Sequence, residues 1–221
     1  GMTTPYLVQE MPLYNANMER GDYSIYHWPS PGGSDLILQF NMVYNKDPEI
    51  GKWIRTKKFR HALSLGVDRE VLNDTIFLGI GTIQNWAPHP STPYYPGLAV
   101  AQKWVQFDPD TANDMLDELG LTETDDEGYR LRPDNGERFI LNGVITPRAA
   151  EMPMMELVQP MWADLGIQFD FRLTDSASSD YNAGDEYLMQ RTDFSAYQAN
   201  PWCCDWNQIA PMRGGHSAAP A

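Results

Sequence analysis

The chain has 221 residues, of which 42% are hydrophobic and 21% charged, and its formal net charge is −14 with a sequence pI of about 4.5. This is the composition of an ordinary globular protein, and it excludes wholesale disorder. The negative charge argues against binding to nucleic acid or to anionic lipid, because both need a basic surface. No apolar run approaches the roughly 20 residues that a membrane helix requires. We therefore expect one domain, or one large lobe with extensions.

The two cysteines, Cys203 and Cys204, are adjacent in the sequence. Neighbouring cysteines bridge poorly, because their Cα atoms lie closer together than the usual range for a disulfide. We therefore expect no disulfide framework, and cysteine content does not fix the compartment. No signal peptide is visible, and the opening Gly1-Met2 resembles the remnant of a cleaved tag. We therefore expect the first residue to be an artificial starting point, so the lack of a targeting segment carries no information.

The first half of the chain predicts one long strand and several helices after a turn-rich opening segment. Residues 1–35 form this segment, with a short strand at 23–28. Residues 36–44 alternate as a strand whose two rows are both largely apolar, which suits a strand covered on both faces. The remaining predictions are helices over 57–66 and 68–78, an extended proline-rich loop over 86–96, and a helix over 108–120.

The second half predicts a short arm followed by alternating strands and helices. Turns at 125–128 and 133–136 flank the arm, and Pro160 is expected to kink the long helix that follows. The predicted elements are a strand over 138–146, a helix over 150–165, a strand over 167–173, a helix over 181–190 and a strand over 193–199. This order predicts an α/β fold with a mixed sheet covered by helices. The predicted core contains Phe40, Leu63, Leu72, Leu116, Trp162 and Phe169.

Motifs for catalysis, metals and cofactors give no positive signal. The acidic run at 125–128 lacks the alternating ligands and distal glutamate of an EF-hand, so a solvated turn is the better interpretation. No histidine pair has metal-site spacing, and no phosphate-binding or nucleophile motif is present. We predict no catalytic residues, no metal ligands and no cofactor. Paired carboxylates of a glycoside hydrolase stay an open alternative, because the chain holds 30 acidic residues.

Four stretches carry recognisable motifs in a fixed order. They are Gly21-Asp22-Tyr23 with the strand residues 38–41, the run 58–69 ending in Asp68-Arg69, the helix opened by Phe107-Asp108-Pro109, and Trp162 with Leu165-Gly166-Ile167. Together they resemble the family 5 extracellular solute-binding proteins, which include oligopeptide, dipeptide and nickel binders. The chain departs from the family pattern at Gly66, where alanine is more usual, and in its acidic arm near Asp125.

The resemblance implies a two-lobed binding protein of which this chain is one part. Residues 36–206 correspond to the C-terminal lobe, of the periplasmic-binding-protein type II-like kind, and residues 207–221 are expected to form a flexible tail. The implied protein is not an enzyme but the substrate-binding component of an ABC importer, which captures a peptide in a cleft between two lobes. Its implied partners are the permease subunits and its own N-terminal lobe. Its implied location is extracytoplasmic, in the periplasm or anchored to the cell surface as a lipoprotein.

A fifth stretch, from Trp202 through Cys204, Asp205 and Trp206, carries the predicted ligand site. Oligopeptide binders have a similar run, in which the aspartate pairs with the free amino terminus of the ligand. The resemblance therefore assigns that role to Asp205, and a carboxylate flanked by aromatic rings suits an ammonium group. An ordinary acid in a surface turn is the alternative interpretation. In an oligosaccharide-binding member of the family, Trp202 and Trp206 would instead stack on sugar rings.

Other residues of these motifs are predicted to be structural. We expect Arg60 and Arg69 to make local ion pairs and Asp68 to cap a helix. Trp86 and Trp104 are candidates for stacking on a ligand, although Trp104, like Trp162, is equally compatible with a place in the core.

Overall fold

The computed structural model describes residues 8, 10–26, 34–42, 44, 46–85, 87, 90, 93, 95–145, 151–173 and 189–194. Within these ranges the chain forms eight helices and four strands. The helices are Met11–Ala16 (α1), Met18–Gly21 (α2), Pro48–Arg55 (α3), Lys57–Leu65 (α4), Arg69–Phe77 (α5), Leu98–Ala101 (α6), Pro109–Glu118 (α7) and Glu151–Ala163 (α8). The strands are Ser34–Phe40 (β1), Ile140–Ile145 (β2), Gln168–Leu173 (β3) and Met189–Phe194 (β4).

The four strands form one mixed sheet in the order β1-β4-β2-β3. β2 pairs in parallel with both β3 and β4, and β1 pairs antiparallel with β4. On β3 the side chain of Phe169 is buried and that of Asp170 is exposed, so one face of this edge strand meets the core. The predicted α/β class with a mixed sheet is confirmed.

Aspartates begin three of the helices. The Asp47, Asp68 and Asp108 side chains each accept a hydrogen bond of 3.0 Å from a backbone N–H in the first turn of α3, α5 and α7. Pro48 and Pro109 occupy the first helical position, where the missing N–H costs nothing. The caps of α5 and α7 were predicted. Helix α3 was not predicted, although Asp47-Pro48 carries the same signature as Asp108-Pro109.

The core lies between the sheet and the helices. Of the predicted core residues, Leu63, Leu72, Leu116, Trp162 and Phe169 are buried, and Phe40 is partly buried against the same cluster. The Phe59 and Phe139 rings lie 5.3 Å apart between their centroids, and Trp162 packs 5.0 Å from Phe169. The Trp162 indole also donates a hydrogen bond of 2.9 Å to the carbonyl of Leu63, which ties α8 to α4.

Several predicted elements differ from the structure. The opening segment contains α1 and α2, and residues 23–26 are irregular rather than a strand. The end of the predicted helix over 181–190 is wrong, because Met189 and Gln190 belong to β4, which starts four residues before the predicted strand over 193–199. Pro160 lies inside α8, which continues past it to Ala163. Residues 27–28, 181–188 and 195–199 lie outside the described residues.

Candidate functional site

Three strands of the sheet end at one edge. Because β2, β3 and β4 run parallel, their last residues, Ile145, Leu173 and Phe194, lie toward the same edge, where antiparallel β1 begins at Ser34. We name this side of the sheet the carboxyl edge. In open α/β sheets, ligands bind in the crevice outside the carboxyl ends of the strands. The carboxyl edge is therefore the candidate site.

Strands β1 and β4 continue beyond the end of β2. Val144 of β2 pairs with Gln190, one residue before β2 ends, whereas β4 runs on to Phe194, which lies opposite Ser34. The sheet thus narrows to a two-stranded ribbon at this edge. The register shifts between Ser34 and Ile37, where β1 holds one more residue than β4. Such a bulge bends β1 and increases its local twist.

The described side chains at the carboxyl edge are mostly apolar. Leu173, the last residue of β3, is 46% exposed, and Phe171 is partly buried. Arg172 lies exposed between them, and Val144 is buried near the end of β2. Ligand pockets combine an apolar lining with a few polar groups that orient the ligand. The apolar strand ends make this side of the sheet a candidate for such a lining.

The predicted ligand residues come later in the chain. Trp202, Cys204, Asp205 and Trp206 all lie outside the described residues, as does Trp86. Residues 195–201 separate them from Phe194, where β4 ends at the carboxyl edge. Their place in a ligand site stays a prediction.

The hairpin arm, residues 121–138, lies at the opposite end of the strands. Its Arg130 accepts a hydrogen bond of 2.8 Å from the N–H of Phe139, immediately before β2, and donates one of 2.7 Å to Gly166, shortly before β3. A strand of six residues such as β2 is about 20 Å long. The acidic arm is therefore separated from the carboxyl edge by the length of the sheet.

Asp125 of the arm forms a hydrogen-bonded turn. Its Oδ1 accepts hydrogen bonds of 3.0 Å and 2.9 Å from the N–H groups of Glu127 and Tyr129, and its Oδ2 accepts one of 2.6 Å from Arg138. Desolvation raises the pKa of the carboxyl group, but these hydrogen bonds outweigh it and hold the pKa below its ordinary value. Both oxygens are thus engaged within the protein, and the predicted solvated turn is confirmed.

Arg130 is a buried cation at the base of the arm. It is 7% exposed, and it donates 2.8 Å hydrogen bonds to the Leu165 carbonyl and the Asn113 side chain, a 2.5 Å bond to Asp117, and a further bond to the Leu121 carbonyl. These acceptors belong to α7, the segment after it and the turn after α8. Arg130 therefore joins three parts of the chain, and sequence reasoning missed it because nothing in its neighbourhood marks it as buried.

The motif arginines contact backbone carbonyls. Arg60 donates to the carbonyl of Ile54 at 2.5 Å, and Arg69 donates to those of Ser64, Val67 and Val105 at 2.9 to 3.2 Å. Burial lowers the pKa of the Arg69 guanidinium. Neither arginine forms an ion pair within the described part of the chain, so the prediction of local ion pairs is wrong, whereas their structural role is supported. Carbonyl oxygens at the end of a helix attract a cation without needing a carboxylate.

His61 and Trp104 form a stacked pair on the outer side of α4. Their ring centroids lie 4.1 Å apart with an interplanar angle of 13°, and Trp104 is partly buried with a backbone φ of 62°. Burial lowers the pKa of His61, and the nearby charges of Arg60, Lys103 and Lys57 lower it further. The stack holds the segment after α6 against α4, which gives Trp104 a packing role.

Within the described ranges there is no evidence of a metal site or of a helix that spans a membrane. There, no group of three or more His, Cys, Asp or Glu side chains could hold a metal ion. His61 stacks on Trp104. Among the helices of the same ranges, none has both the length and the apolar character needed to cross a bilayer.

Residues 6–209 match the protein family described as bacterial extracellular solute-binding proteins, family 5 Middle. No curated protein sequence matches the chain. Similar solved structures are nevertheless numerous. The oligopeptide-binding protein OppA superposes with a TM-score of 0.75 at 25% identity, covering 85% of this chain and 29% of its own.

Two other solved structures share the fold at lower identity. The binding protein MelB from Agrobacterium fabrum C58, in complex with stachyose, has a TM-score of 0.65 and 18% identity, covering 98% of this chain and 33% of its own. NikA from Brucella suis, in complex with Fe(III)-EDTA, has a TM-score of 0.63 and 21% identity, covering 94% and 39%.

The chain thus spans about a third of the length of the structures that it resembles. The shared architecture is that of type II periplasmic binding proteins, as the family resemblance implied. The family match extends over residues 6–209, which is well beyond half of the 221 residues. It also covers every described strand and helix. The chain belongs to family 5 of the bacterial extracellular solute-binding proteins.

Proposed function

We propose that the chain is the second lobe of the substrate-binding component of an ABC importer, and that the whole protein captures peptides between two lobes. The single observation that carries this proposal is the match over residues 6–209 to a family of extracellular solute-binding proteins. The convergence of β2, β3 and β4 at one edge supports it, because that edge supplies an apolar wall for a ligand.

Asp205 is the proposed partner of the free amino terminus of the peptide. The proposal rests on the run from Trp202 to Trp206 and its likeness to oligopeptide binders. The run follows β4, whose last residue is at the carboxyl edge. In a closed cleft the Asp205–ammonium pair would be shielded from water, where a charge-assisted hydrogen bond is stronger than at an exposed surface. Trp202, Cys204 and Trp206 would line the same pocket.

An oligosaccharide is the second candidate ligand. The observation that favours it is structural similarity to MelB, which is described in complex with stachyose, and to a Thermotoga maritima oligopeptide-binding protein described with bound mannohexaose. In that case Trp202 and Trp206 would stack on sugar rings, and Asp205 would accept a hydrogen bond from a hydroxyl group. A glycoside hydrolase fragment is the less favoured third possibility.

The experiment compares two forms of the same peptide on the full-length protein. Calorimetry would measure the affinity of wild type and Asp205→Asn for a peptide with a free amino terminus and for its N-acetylated form. Removing one partner of a buried charge pair costs about 2–5 kcal/mol. We expect that loss for the free peptide only, so that the preference for it over the acetylated form disappears.

Asp126→Asn is a matched control, because it makes the same change in the arm at the far end of the strands. It should leave both affinities unchanged. Equal losses for the two peptide forms would remove Asp205 from the amino-terminus role. Binding of cello- or manno-oligosaccharides without binding of peptides would replace the peptide assignment with the oligosaccharide one.

The proposed partners follow from the same assignment. They are a first lobe in the same protein and the permease subunits of the importer. The proposed location is extracytoplasmic, in the periplasm or at the cell surface through a lipid anchor. A binding role without catalysis would leave peptides and β-glucosides intact, and turnover abolished by replacing one carboxylate would refute it.

A further inference from the structure

The sequence contains two Asn-Gly pairs, Asn135-Gly136 and Asn142-Gly143. At such a pair the backbone nitrogen of glycine can approach the asparagine side-chain carbonyl carbon, because glycine has no Cβ and a wide conformational range. The two pairs have the same local chemistry. Their structural settings are opposite, so the fold decides which of them can react.

Asn142 and Gly143 lie in the middle of a strand that is paired on both sides. Asn142 is opposite Asp170 of β3, and Gly143 is opposite both Phe171 of β3 and Met189 of β4. Gly143 is also buried. A ring-forming attack by its nitrogen requires β2 to leave the extended conformation, and opening of a central strand costs close to the global free energy of unfolding.

Asn135 and Gly136 lie in the exposed turn at the tip of the arm. Both residues are exposed, and Gly136 has a φ of 73° with no atom within 4 Å of the position a Cβ would occupy. The Gly136 N–H donates one hydrogen bond, of 2.8 Å, to the carbonyl of Arg132. The Asn135 side chain makes two more hydrogen bonds, both with the exposed Glu137. Opening these few surface bonds is far less costly than opening β2.

We propose that Asn135 is a site of spontaneous deamidation. After hydroxide removes the amide proton of Gly136, the nitrogen attacks Cγ of Asn135. The new N–Cγ bond forms as the Cγ–Nδ2 bond breaks, and the amino group leaves as ammonia with protons taken from water. Water then adds to either carbonyl of the cyclic imide, which leaves aspartate or isoaspartate at position 135. No oxidant or reductant is involved.

The reaction changes the hydrogen bonds of the arm tip. Asn135 donates from Nδ2 to Oε2 of Glu137 at 2.9 Å and accepts at Oδ1 from the Glu137 N–H at 3.0 Å. A carboxylate at position 135 keeps the acceptor, loses the donor and repels Glu137. Asp134 is already beside it, bound to Arg132, which also binds Asp47. The product therefore adds a negative charge to the turn. Among the described residues, Arg132 is the cation that contacts this turn, and it already binds two carboxylates.

The test is peptide mapping by mass spectrometry during incubation of the chain in mildly alkaline buffer. Because exposed turns and core strands differ by most of the free energy of unfolding, deamidation at Asn135 should exceed that at Asn142 by at least about a hundredfold. In concentrated urea the two rates should become similar, because the sequence chemistry is the same. Asn135→Gln should remove most of the native-state mass gain, and Asn142→Gln should not.

Comparable native rates at the two asparagines, or a faster rate at Asn142, would overturn the proposal. So would a native rate at Asn135 as slow as that of asparagines not followed by glycine, such as the exposed Asn15 and Asn85. The urea samples show in each case whether the chemistry itself was fast enough to be measured.

Discussion

Replacing Arg130 by methionine should destabilise the chain far more than the same replacement at Arg138. Methionine matches much of the arginine stem but cannot donate a hydrogen bond. The change would leave the carbonyls of Leu121 and Leu165 and the side chains of Asn113 and Asp117 without this donor. A buried acceptor without a partner costs about 1–3 kcal/mol.

The four acceptors do not contribute equally. The contacts with the Leu121 and Leu165 carbonyls are buried, whereas Asp117 is 52% exposed and can regain water. We therefore expect a loss of about 2–6 kcal/mol, because two buried carbonyls each lose a donor at about 1–3 kcal/mol. Arg130→Lys should recover part of the loss, because an ammonium group keeps the charge but lacks the planar fork of donors.

Urea denaturation followed by circular dichroism measures the free energy of unfolding of each variant. Arg138→Met is the matched control, because Arg138 lies on the same arm and pairs with Asp125 and the exposed Glu127. Partly exposed pairs of this kind contribute about 0–1 kcal/mol each. An Arg130→Met loss no larger than that of Arg138→Met would refute the role of Arg130 as the buried link between the arm, α7 and α8.

Two further predictions concern packing and pH. A Cβ on Gly66 would lie 2.3 Å from Cδ1 of the buried Leu165, so Gly66→Ala should lower the free energy of unfolding by about 1–3 kcal/mol. In a Leu165→Ala background the same change should cost little or stabilise the chain. A double-mutant cycle measured by denaturation tests this. Because the pKa of His61 is lowered in the folded protein, the unfolded chain binds a proton at this residue more readily than the folded chain does. The folded state is therefore favoured above the ordinary histidine pKa of 6.5, and it loses stability as the pH falls below that value. His61→Phe keeps a ring against Trp104 and should reduce the loss of stability between about pH 7.5 and pH 5.5, and an unchanged difference between the two pH values would contradict this.

Periodicity and capping residues predicted most of the fold that is described. The strand over 167–173 was found because Ile167 and Phe169 alternate with polar residues, and burial of one face of β3 follows the same alternation. The helix begun by Asp108-Pro109 was found because cap and proline coincide. Asp47-Pro48 carries the equivalent signal, so α3 is also encoded by its local sequence.

β4 could not be predicted from its own residues. Met189–Phe194 holds four polar side chains among six, which is weak evidence for a strand. It is nevertheless paired on both sides, with β1 and with β2. Pairing with strands that are distant in the sequence therefore decides its conformation, and no local window contains those partners.

Arg130 shows why a buried cation escapes sequence reasoning. Nothing in the acidic arm distinguishes it from Arg132 and Arg138, which pair with carboxylates in the expected way. Its environment is created by Gly166, whose φ of 75° and close approach to Arg130 leave no room for a Cβ. The Leu165-Gly166-Ile167 motif joins α8 to β3, and its turn supplies the backbone against which Arg130 packs.

The two ends of the sheet thus carry different kinds of residues. At the far end from the carboxyl edge, Arg130 and the ion pairs of the arm fix α7, α8 and the strand starts through contacts within the chain. At the carboxyl edge Leu173 is exposed, and Asp205 follows the end of β4 in the sequence. Because about 20 Å of strand separates these ends, charge changes on the surface of the arm should act on stability without reaching a ligand. The acidic arm is accordingly expected to affect local structure, whereas differences in ligand are expected to arise from the residues that follow the strand ends.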